Sequence, residues 1–378
     1  MMNSQEKFKT DRQEIKLGAH YYLWYGKPTP PVLGMGDWES GYTNHPFLGE
    51  YNSRDGKVIS QHIDWAKKAG IDFFVMEWVG PKTWEDITLK DYYCPSPSSS
   101  EIKFCIHYDS SFALNKFKIG NFEDQPSFDF NEEYSVGRKK GEKFIADFDY
   151  LADHYFSHPQ YLKIDGSPVV MIYNVSAFRN VSDYFNKLRI NMEKRGIKLF
   201  LIGDVVYWAG VKLSKKNLSF IFNSSPKEIL KVFSRSLRRF STSNYEKDFS
   251  LTKYFQAITS YNLYHESRLT NFLRNVDSLY QKFQKYSNFH NIYFVPSVMP
   301  AYNDKSLKGR SRPALERLDG KFYEDFWGIA NKYCDPRLNI ILVTSFNEWH
   351  EGTEIEPSRE YDDRYLCLTK LFKNKGSD

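Results

Sequence analysis

Apolar runs recur along the chain, and polar or amphipathic segments separate them. Runs that are apolar on both faces are typical of parallel strands buried under helices, because no face of such a strand meets water. The sequence therefore predicts a parallel sheet of eight strands, over residues 16–25, 70–79, 102–109, 168–174, 198–206, 257–265, 292–299 and 338–346.

The segments between these runs predict helices. In the segment 58–69, Ile59, Ile63 and Ala66 recur at helical spacing, and Gly70 ends the pattern. Similar patterns predict helices over 143–156, 181–195 and 322–333. Eight strand-helix alternations predict a single α/β (β/α)8 (TIM) barrel, with its active site at the carboxyl ends of the strands. A doubly wound open sheet is the alternative, but no G-x-G-x-x-G motif follows the first strand.

Two segments interrupt the alternation. Residues 95–100 (PSPSSS) predict a surface loop, and residues 206–255 predict an extended loop or helical insertion after strand 5. Within that insertion the basic stretch 227–239 predicts an amphipathic helix. A solvated helix face is the favoured interpretation, and contact with an anionic surface or a lipid-linked substrate is the alternative. The whole chain, 1–378, is predicted to be one catalytic domain.

Composition and charge argue against several classes of protein and of binding partner. Hydrophobic residues make up 41% and charged residues 26% of the 378 residues, as in globular proteins. The net charge of +5 is mild and spread along the chain, so no nucleic-acid partner is expected. The four cysteines form no C-x-x-C pair, and no His or acidic cluster has convincing metal-ligand spacing. We therefore expect no metal and no cofactor.

The amino-terminal segment 1–16 is polar and charged, without the apolar core of a signal peptide. No stretch approaches the roughly 18 apolar residues that a membrane span needs. These features predict a soluble, cytoplasmic protein with no membrane span. The sequence leaves the oligomeric state open.

The eighth run leads directly into an acidic and aromatic segment, SFNEWHEG, over 345–352. In a barrel this placement puts Glu348 and Glu351 just beyond the last strand, where catalytic groups gather. If the segment is helical there, residues three apart lie on one face. Two nearby carboxylates beside aromatic rings can differ in pKa, so that one acts as an acid and the other as a base. A solvated acidic loop is the alternative.

This segment resembles the signature of glycoside hydrolase family 99, the endo-α-mannosidase family, and of family 99-like proteins of polysaccharide biosynthesis. Further elements along most of the barrel are similar to that family in the same order. They are the aromatic first strand at 21–26 (YYLWYG), Trp38 with Asn-His-Pro at 44–46, His-Tyr-Asp at 107–109, the segment 296–304 (PSVMPAYND) and the segment 318–324.

The resemblance implies a retaining glycoside hydrolase that cleaves α-mannoside-like linkages in an oligosaccharide or polysaccharide. In the family, the residue matching Glu351 acts as general acid and then general base. The residue matching Glu348 deprotonates the 2-hydroxyl of the substrate, which attacks the anomeric carbon and forms an anhydro-sugar. This mechanism departs from the two-carboxylate scheme with a carboxylate nucleophile. The absence of an acid after the fourth strand, where Asn174 lies, is consistent with it.

The substrate-binding candidates combine this resemblance with position. For most of them the alternative is barrel packing or a place at the rim. Glu77 stands where a small residue is expected in the family, and Asp109 is shorter than the expected Glu, so these positions bear on sugar specificity. The candidates are Tyr22, Trp24, Tyr25, His45, Glu77, His107, Asp109, Tyr261, Tyr302, Asn347, Trp349 and His350.

Two other functions fit the same residues. One is a glycosyltransferase or other glycan-building enzyme of the family 99-like branch, with a nucleotide-linked or lipid-linked donor. The other is a non-catalytic carbohydrate-binding barrel. Since barrels carry many functions, the fold alone does not decide among them.

Overall fold

The computed structural model describes residues 14–26, 38–114, 128–205, 253–264, 271–307 and 313–377. Each of the eight apolar runs contains at least one strand of a single parallel sheet, so the predicted strands are confirmed. The strands are β1 (Lys16–Tyr21), β2 (Phe73–Trp78), β3 (Lys103–Tyr108), β4 (Ser167–Ile172), β5 (Phe200–Asp204), β6 (Ala257–Thr259), β7 (Tyr293–Val295), β8 (Ser297–Val298) and β9 (Ile340–Val343).

The sheet closes into a barrel, because its two edge strands, β7 and β8, both belong to the seventh apolar run and follow one another in the chain. The strand order is β7-β6-β5-β4-β3-β2-β1-β9-β8, and only Pro296 separates β7 from β8. Proline lacks an N–H and interrupts the ladder, while its carbonyl accepts the N–H of Leu342 at 3.0 Å. The first half then pairs with β6 and the second with β9. The (β/α)8 barrel is confirmed, and the doubly wound open sheet is excluded.

Helices follow the strands, as the alternation predicts. The segment after β2 is helical over Trp84–Ile87 and Thr88–Tyr93. Four predicted helices are present, and their boundaries differ from the predicted ones by at most three residues. The long helices are α1 (Gly56–Lys68), α2 (Lys140–His154), α3 (Ser182–Lys194), α4 (Phe272–His290), α5 (Lys321–Tyr333) and α6 (Arg364–Ser377). None of the helices in these described ranges is long and apolar enough to cross a membrane.

The boundaries of α1 show how the local sequence sets a helix. The Asp55 carboxylate accepts the N–H of Lys57 at 2.8 Å and so caps the amino terminus. At the other end Gly70 takes a φ of 75°, which a side chain would disfavour. Inside the helix the apolar positions Ile59 and Ile63 are buried.

The prediction of a loop over 95–100 is wrong in part. Residues Pro97–Glu101 form a 3-10 helix, with proline at its first turn. The Ser99 hydroxyl donates to the carbonyl of Ser96 at 2.7 Å, and the Ser98 hydroxyl bonds to Ser60 of α1 at 2.9 Å. These side chains bond to the backbone and to α1, so a composition typical of loops forms an ordered turn. Residues 206–252, which include the basic stretch 227–239, lie outside the described residues, and the insertion and the single domain stay predictions.

Several short strands lie beside the main strands of the barrel. Lys163–Ile164 pairs with β4, Phe128–Asp129 pairs with Phe178–Arg179, and Glu133–Ser135 pairs with Arg138–Lys139.

Besides the main core, a second, aromatic cluster lies where the chain leaves β1 and β9. It contains Tyr22, Trp24, Tyr25, Tyr51, Val58, Tyr261 and Trp349. This cluster surrounds the candidate site.

Candidate active site

Glu348 and Glu351 lie in a tight turn beyond β9. The conditional expectation of a helical segment is not met, because the residues form turns rather than a helix. The Ser345 hydroxyl accepts the N–H of Glu348 at 2.7 Å, and the Glu348 carboxylate accepts the N–H of His350 at 3.1 Å. Glu348 is buried, while Glu351 is partly exposed. The two carboxylates thus have different surroundings.

Three tyrosines connect the turn to other strands. The Tyr261 and Tyr302 hydroxyls each donate to one oxygen of Glu351, at 3.4 and 3.3 Å. The Tyr22 hydroxyl donates to that of Tyr261 at 2.5 Å. Burial raises the pKa of Tyr22 and of Tyr261 well above 10, and the charges of both Glu348 and Glu351 raise both further. The phenols are therefore neutral hydrogen-bond donors, and both carboxylates lie within range of the same two rings.

Aromatic rings extend the site on both sides of the turn. Tyr22 and Trp24 have ring centroids 4.4 Å apart, and Trp24 lies 6.4 Å from the ring of His350. On the other side Tyr302 stacks on Tyr264 at 4.0 Å. These rings are buried and pack against one another, so they form aromatic walls beside the turn.

A cluster of titratable side chains lines the neighbouring strands. Glu77 on β2 and His107 on β3 are partners in register, and the Glu77 carboxylate lies 2.7 Å from Nδ1 of His107. Asp109 hydrogen-bonds Glu77, and burial followed by the charge of Glu77 raises the pKa of Asp109 well above its usual range. The ring of His107 lies nearly parallel to that of Tyr261, 6.2 Å away. Three predicted residues are thus brought beside the turn.

Two other predicted residues brace the turn. The Asn347 side chain accepts the N–H of Tyr22 at 2.7 Å and donates to the Tyr22 carbonyl at 3.0 Å. The Tyr25 hydroxyl donates to the Asn347 carbonyl and accepts the N–H of Trp349, both at 2.9 Å. These bonds tie the end of β1 to the residues after β9.

His45 and His350 occupy different places. The side chain of His45 is 56% exposed and pairs with Glu360 at 2.6 Å, with Tyr42 against its ring. His350 is buried, and its Nδ1 lies 2.8 Å from the Gly41 carbonyl oxygen. The structure therefore places His350 in the turn and His45 at the surface.

A set of buried residues behind the turn was not predicted from the sequence. Glu356 accepts from the indole of Trp349 at 3.0 Å and from the Tyr51 hydroxyl at 2.8 Å, and it lies 3.1 Å from His62. The sequence did carry a signal for the burial of Glu356. It follows Ile355 in a segment where acidic and apolar residues alternate, which is not the pattern of a solvated loop.

His20 on β1 was also missed. Its ring packs edge-on against His107 at 4.8 Å and against Tyr261 at 4.9 Å. The period of two along β1 places it on the side opposite to Tyr21, which contacts the helix layer through His62. In the described parts of the chain, no three His, Cys, Asp or Glu side chains are grouped so as to hold a metal ion.

The family described as Glycosyltransferase WbsX has a sequence profile that matches residues 43–369. Among curated proteins, the glycoprotein endo-alpha-1,2-mannosidase of Xenopus laevis is 23% identical over 95% of this chain and 76% of its own length. The protein of that name from Mus musculus is 24% identical, over 93% and 70%.

Solved structures share the fold. The GH99 endo-alpha-mannosidase from Bacteroides thetaiotaomicron superposes with a TM-score of 0.60 at 19% identity, over 95% of this chain and 97% of that chain. A glycoside hydrolase-like protein superposes with a TM-score of 0.67 at 21% identity, over 96% and 94%. These likenesses show the shared fold, and together with the curated relatives they confirm the predicted resemblance to family 99 or its relatives. The curated relatives support a glycoside hydrolase-like function.

Proposed function

This chain belongs to the family described as Glycosyltransferase WbsX, and we propose that it acts as a retaining glycoside hydrolase on α-mannoside-like linkages in a glycan. The observation that carries the proposal is the pairing of Glu348 and Glu351 in one turn beside the phenols of Tyr22 and Tyr261. The endo-mannosidases that resemble the chain support the choice of sugar.

Glu351 is the proposed general acid and base. It is partly exposed, so a leaving-group oxygen and later a water can reach it. The Tyr261 hydroxyl lies 3.4 Å from one oxygen of Glu351, and the Tyr302 hydroxyl, which is equally close to Asp304, lies 3.3 Å from the other, so the two phenols flank the carboxyl group. A proton transfer from a positioned group of this kind is worth about 10²–10⁴-fold in rate.

Glu348 is the proposed base toward the 2-hydroxyl of the reacting sugar. It is buried and held by the N–H of His350, so its position is set before substrate arrives. As the Glu348 carboxylate takes the proton, the hydroxyl oxygen attacks the anomeric carbon and the leaving group accepts the proton of Glu351. Water then opens the resulting anhydro-sugar at the anomeric carbon. Glu351 takes a proton from the water and Glu348 returns its proton to the 2-oxygen, so both carboxyl groups regain their starting states and the anomeric configuration is retained.

Substitution of each carboxylate tests the proposal. With α-mannosyl oligosaccharides as substrates, Glu351→Gln and Glu348→Gln should each lower kcat by about 10²–10⁴-fold, because the amide can neither give nor take the proton. Product analysis by mass spectrometry measures the cleavage. Glu193→Gln, which changes an exposed residue of α3, should cleave at the wild-type rate. Undiminished cleavage by Glu351→Gln would refute the assignment.

A glycosyltransferase is the second candidate, because the matching family is described by that activity. The same site would then transfer a sugar from a nucleotide-linked or lipid-linked donor. Incubation with sugar nucleotides and an acceptor, in parallel with α-mannosides, separates the two. Transfer without hydrolysis would favour the second candidate.

A further inference from the structure

Two imidazoles beside the proposed site have nitrogens without hydrogen-bond partners. His20 and His107 are 2% and 3% exposed. Both ring nitrogens of His20 and Nε2 of His107 find no partner among the residues that the structure describes. A buried polar atom without a partner destabilises the folded protein, because it has lost its hydrogen bonds to water. Such atoms grouped in one place indicate a ligand that supplies the missing bonds.

The carboxyl groups next to His107 set which of its nitrogens is an acceptor. Burial and then the charge of Glu77 raise the pKa of Asp109 well above its usual range, so of these two hydrogen-bonded acids Asp109 is the one that keeps its proton more readily and donates it to Glu77. A carboxylate only accepts, and the Nδ1 of His107 at 2.7 Å must therefore carry the ring proton. The pKa of His107 is lowered by burial, which keeps the ring neutral. Its Nε2 is then an acceptor.

His20 complements this acceptor. Burial, and secondarily His107, lowers the pKa of His20 well below 6.5, so this ring is also neutral and presents one N–H and one lone pair. The two rings lie 4.8 Å apart, edge to face. Together they offer a donor and an acceptor side by side, which is the complement of a hydroxyl group.

The position of this pair ties it to the reacting sugar. Tyr261 packs against both imidazoles, at 4.9 and 6.2 Å, and its hydroxyl donates to Glu351. Tyr173, which is only partly buried, lies edge-on to both His107 and Tyr261 at 5.8 and 6.2 Å. The imidazoles are thus separated from the proposed general acid by a single tyrosine ring.

We infer that His20 and His107 form a subsite that binds one hydroxyl of the reacting sugar, with Glu77 as the positioning residue for His107. The inference rests on the proposed function. It assigns the substrate class as a hexose with a free, unsubstituted hydroxyl at that position. The hydroxyl donates to Nε2 of His107 and accepts from the N–H of His20. A deoxy sugar leaves both nitrogens without a partner.

Binding of an inert sugar mimic tests the subsite without turnover. The probes are a mannose-configured iminosugar and its 3-, 4- and 6-deoxy forms, measured by isothermal titration calorimetry. With the wild type, one deoxy compound should bind about tenfold more weakly than the parent, since it loses a buried hydrogen bond. In His107→Ala and in His20→Phe the parent should bind about tenfold more weakly than it binds the wild type. In these variants the deoxy compound should bind no more weakly than the parent.

The outcomes separate the two proposals. If the wild type binds the parent but no deoxy form is weakened, or if the loss is the same in the wild type and both variants, the subsite is wrong while the proposed function stands. If the wild type does not bind the parent, the proposed function and the subsite both fail. His154→Ala, which removes an exposed histidine of α2, should bind all four compounds as the wild type does.

The role of Glu77 is tested through the imidazole proton. In ¹⁵N NMR spectra of the wild type, His107 should be protonated at Nδ1, and the parent iminosugar should shift the Nε2 signal. Glu77→Leu removes the acceptor at Nδ1, and the proton should redistribute toward Nε2 with about tenfold weaker binding. An unchanged tautomer in that variant would overturn the positioning role.

Discussion

At the residue scale, the two glutamates differ although they are three positions apart. Glu348 is buried and bonded to the backbone, whereas Glu351 is partly exposed and bonded to two phenols. Burial and hydrogen bonding are the factors that divide acid from base in paired carboxylates. The environment of each side chain, rather than its identity, supports the division of roles proposed here.

His20 should make stability depend on pH. Its pKa in the folded protein is well below 6.5, mainly through burial and then through His107. As pH falls from 6.5 toward that lowered value, the unfolded chain takes up a proton that the folded protein excludes, so stability is lost on acidification. Between pH 7.5 and 5.5 the wild type should therefore lose about 1 kcal/mol more unfolding free energy than His20→Phe.

Urea unfolding at the two pH values, followed by tryptophan fluorescence, measures the difference. Tyr93→Phe is a matched control, because burial raises the pKa of this phenol well above 10 and the group does not titrate in that window. Equal pH dependence in the wild type and His20→Phe would show that His20 is not held neutral.

At the element scale, a buried ion pair and its hydrogen bonds hold the turn beyond β9 from behind. Arg317 pairs with Glu354 and donates to the carbonyls of Gly352 and Glu354 at 3.3 and 2.9 Å. Asn44 donates to the same Glu354 carboxylate at 2.7 Å. A turn lacks the regular backbone hydrogen bonds of a helix or strand. These side chains therefore supply the hydrogen bonds that keep Glu351 in place.

Removal of Arg317 should destabilise the protein strongly. Burial already raises the pKa of Glu354, and Arg317 is the main group that opposes this rise. Arg317→Met leaves a buried acid without its cation and should cost about 3–5 kcal/mol in unfolding free energy, with a lower kcat. The double variant Arg317→Met/Glu354→Met should regain much of the stability.

Denaturant unfolding and glycan cleavage measure these effects. Arg189→Met breaks an exposed pair with Glu193 on α3 and should cost less than about 1 kcal/mol. A similar cost for Arg317→Met and Arg189→Met would show that the buried pair does not support the turn.

At the scale of the whole molecule, the barrel depends on small residues where strands crowd. A Cβ at Gly18 of β1 would lie 2.4 Å from the ring of Phe73 on β2 and 2.8 Å from Leu342 on β9. Gly18→Ala should therefore overpack the barrel and lower the unfolding free energy by about 1–3 kcal/mol. Circular dichroism during urea unfolding measures this loss.

Gly328 provides the contrasting case. It lies inside α5, where an added Cβ would meet nothing within 4 Å. Gly328→Ala should raise the unfolding free energy by about 0.5–1 kcal/mol, since alanine has fewer unfolded conformations to lose. If both substitutions changed the unfolding free energy in the same direction, crowding would not be the cause of the effect at Gly18.

Much of the barrel was predictable because its signals are local. Each strand run is apolar on both faces, and helices such as α1 carry both a 3.6-residue pattern and an end signal at Gly70. The split of the seventh strand at Pro296 was not predicted, although proline is a visible signal. The segment 97–101 was misjudged because serine hydroxyls can replace backbone partners, which composition does not reveal.

The sequence by itself determined the order of strands and helices, the resemblance to family 99, and the placement of Glu348 and Glu351 just after the last strand, because each depends on residues close together in the chain. Only the tertiary structure decided that Tyr22, Tyr261 and Tyr302 meet at Glu351, that Asn347 braces β1, and that His20 lies against His107. These contacts join residues from different strands, and barrel closure alone brings them together, so spacing along the chain carries no signal for them.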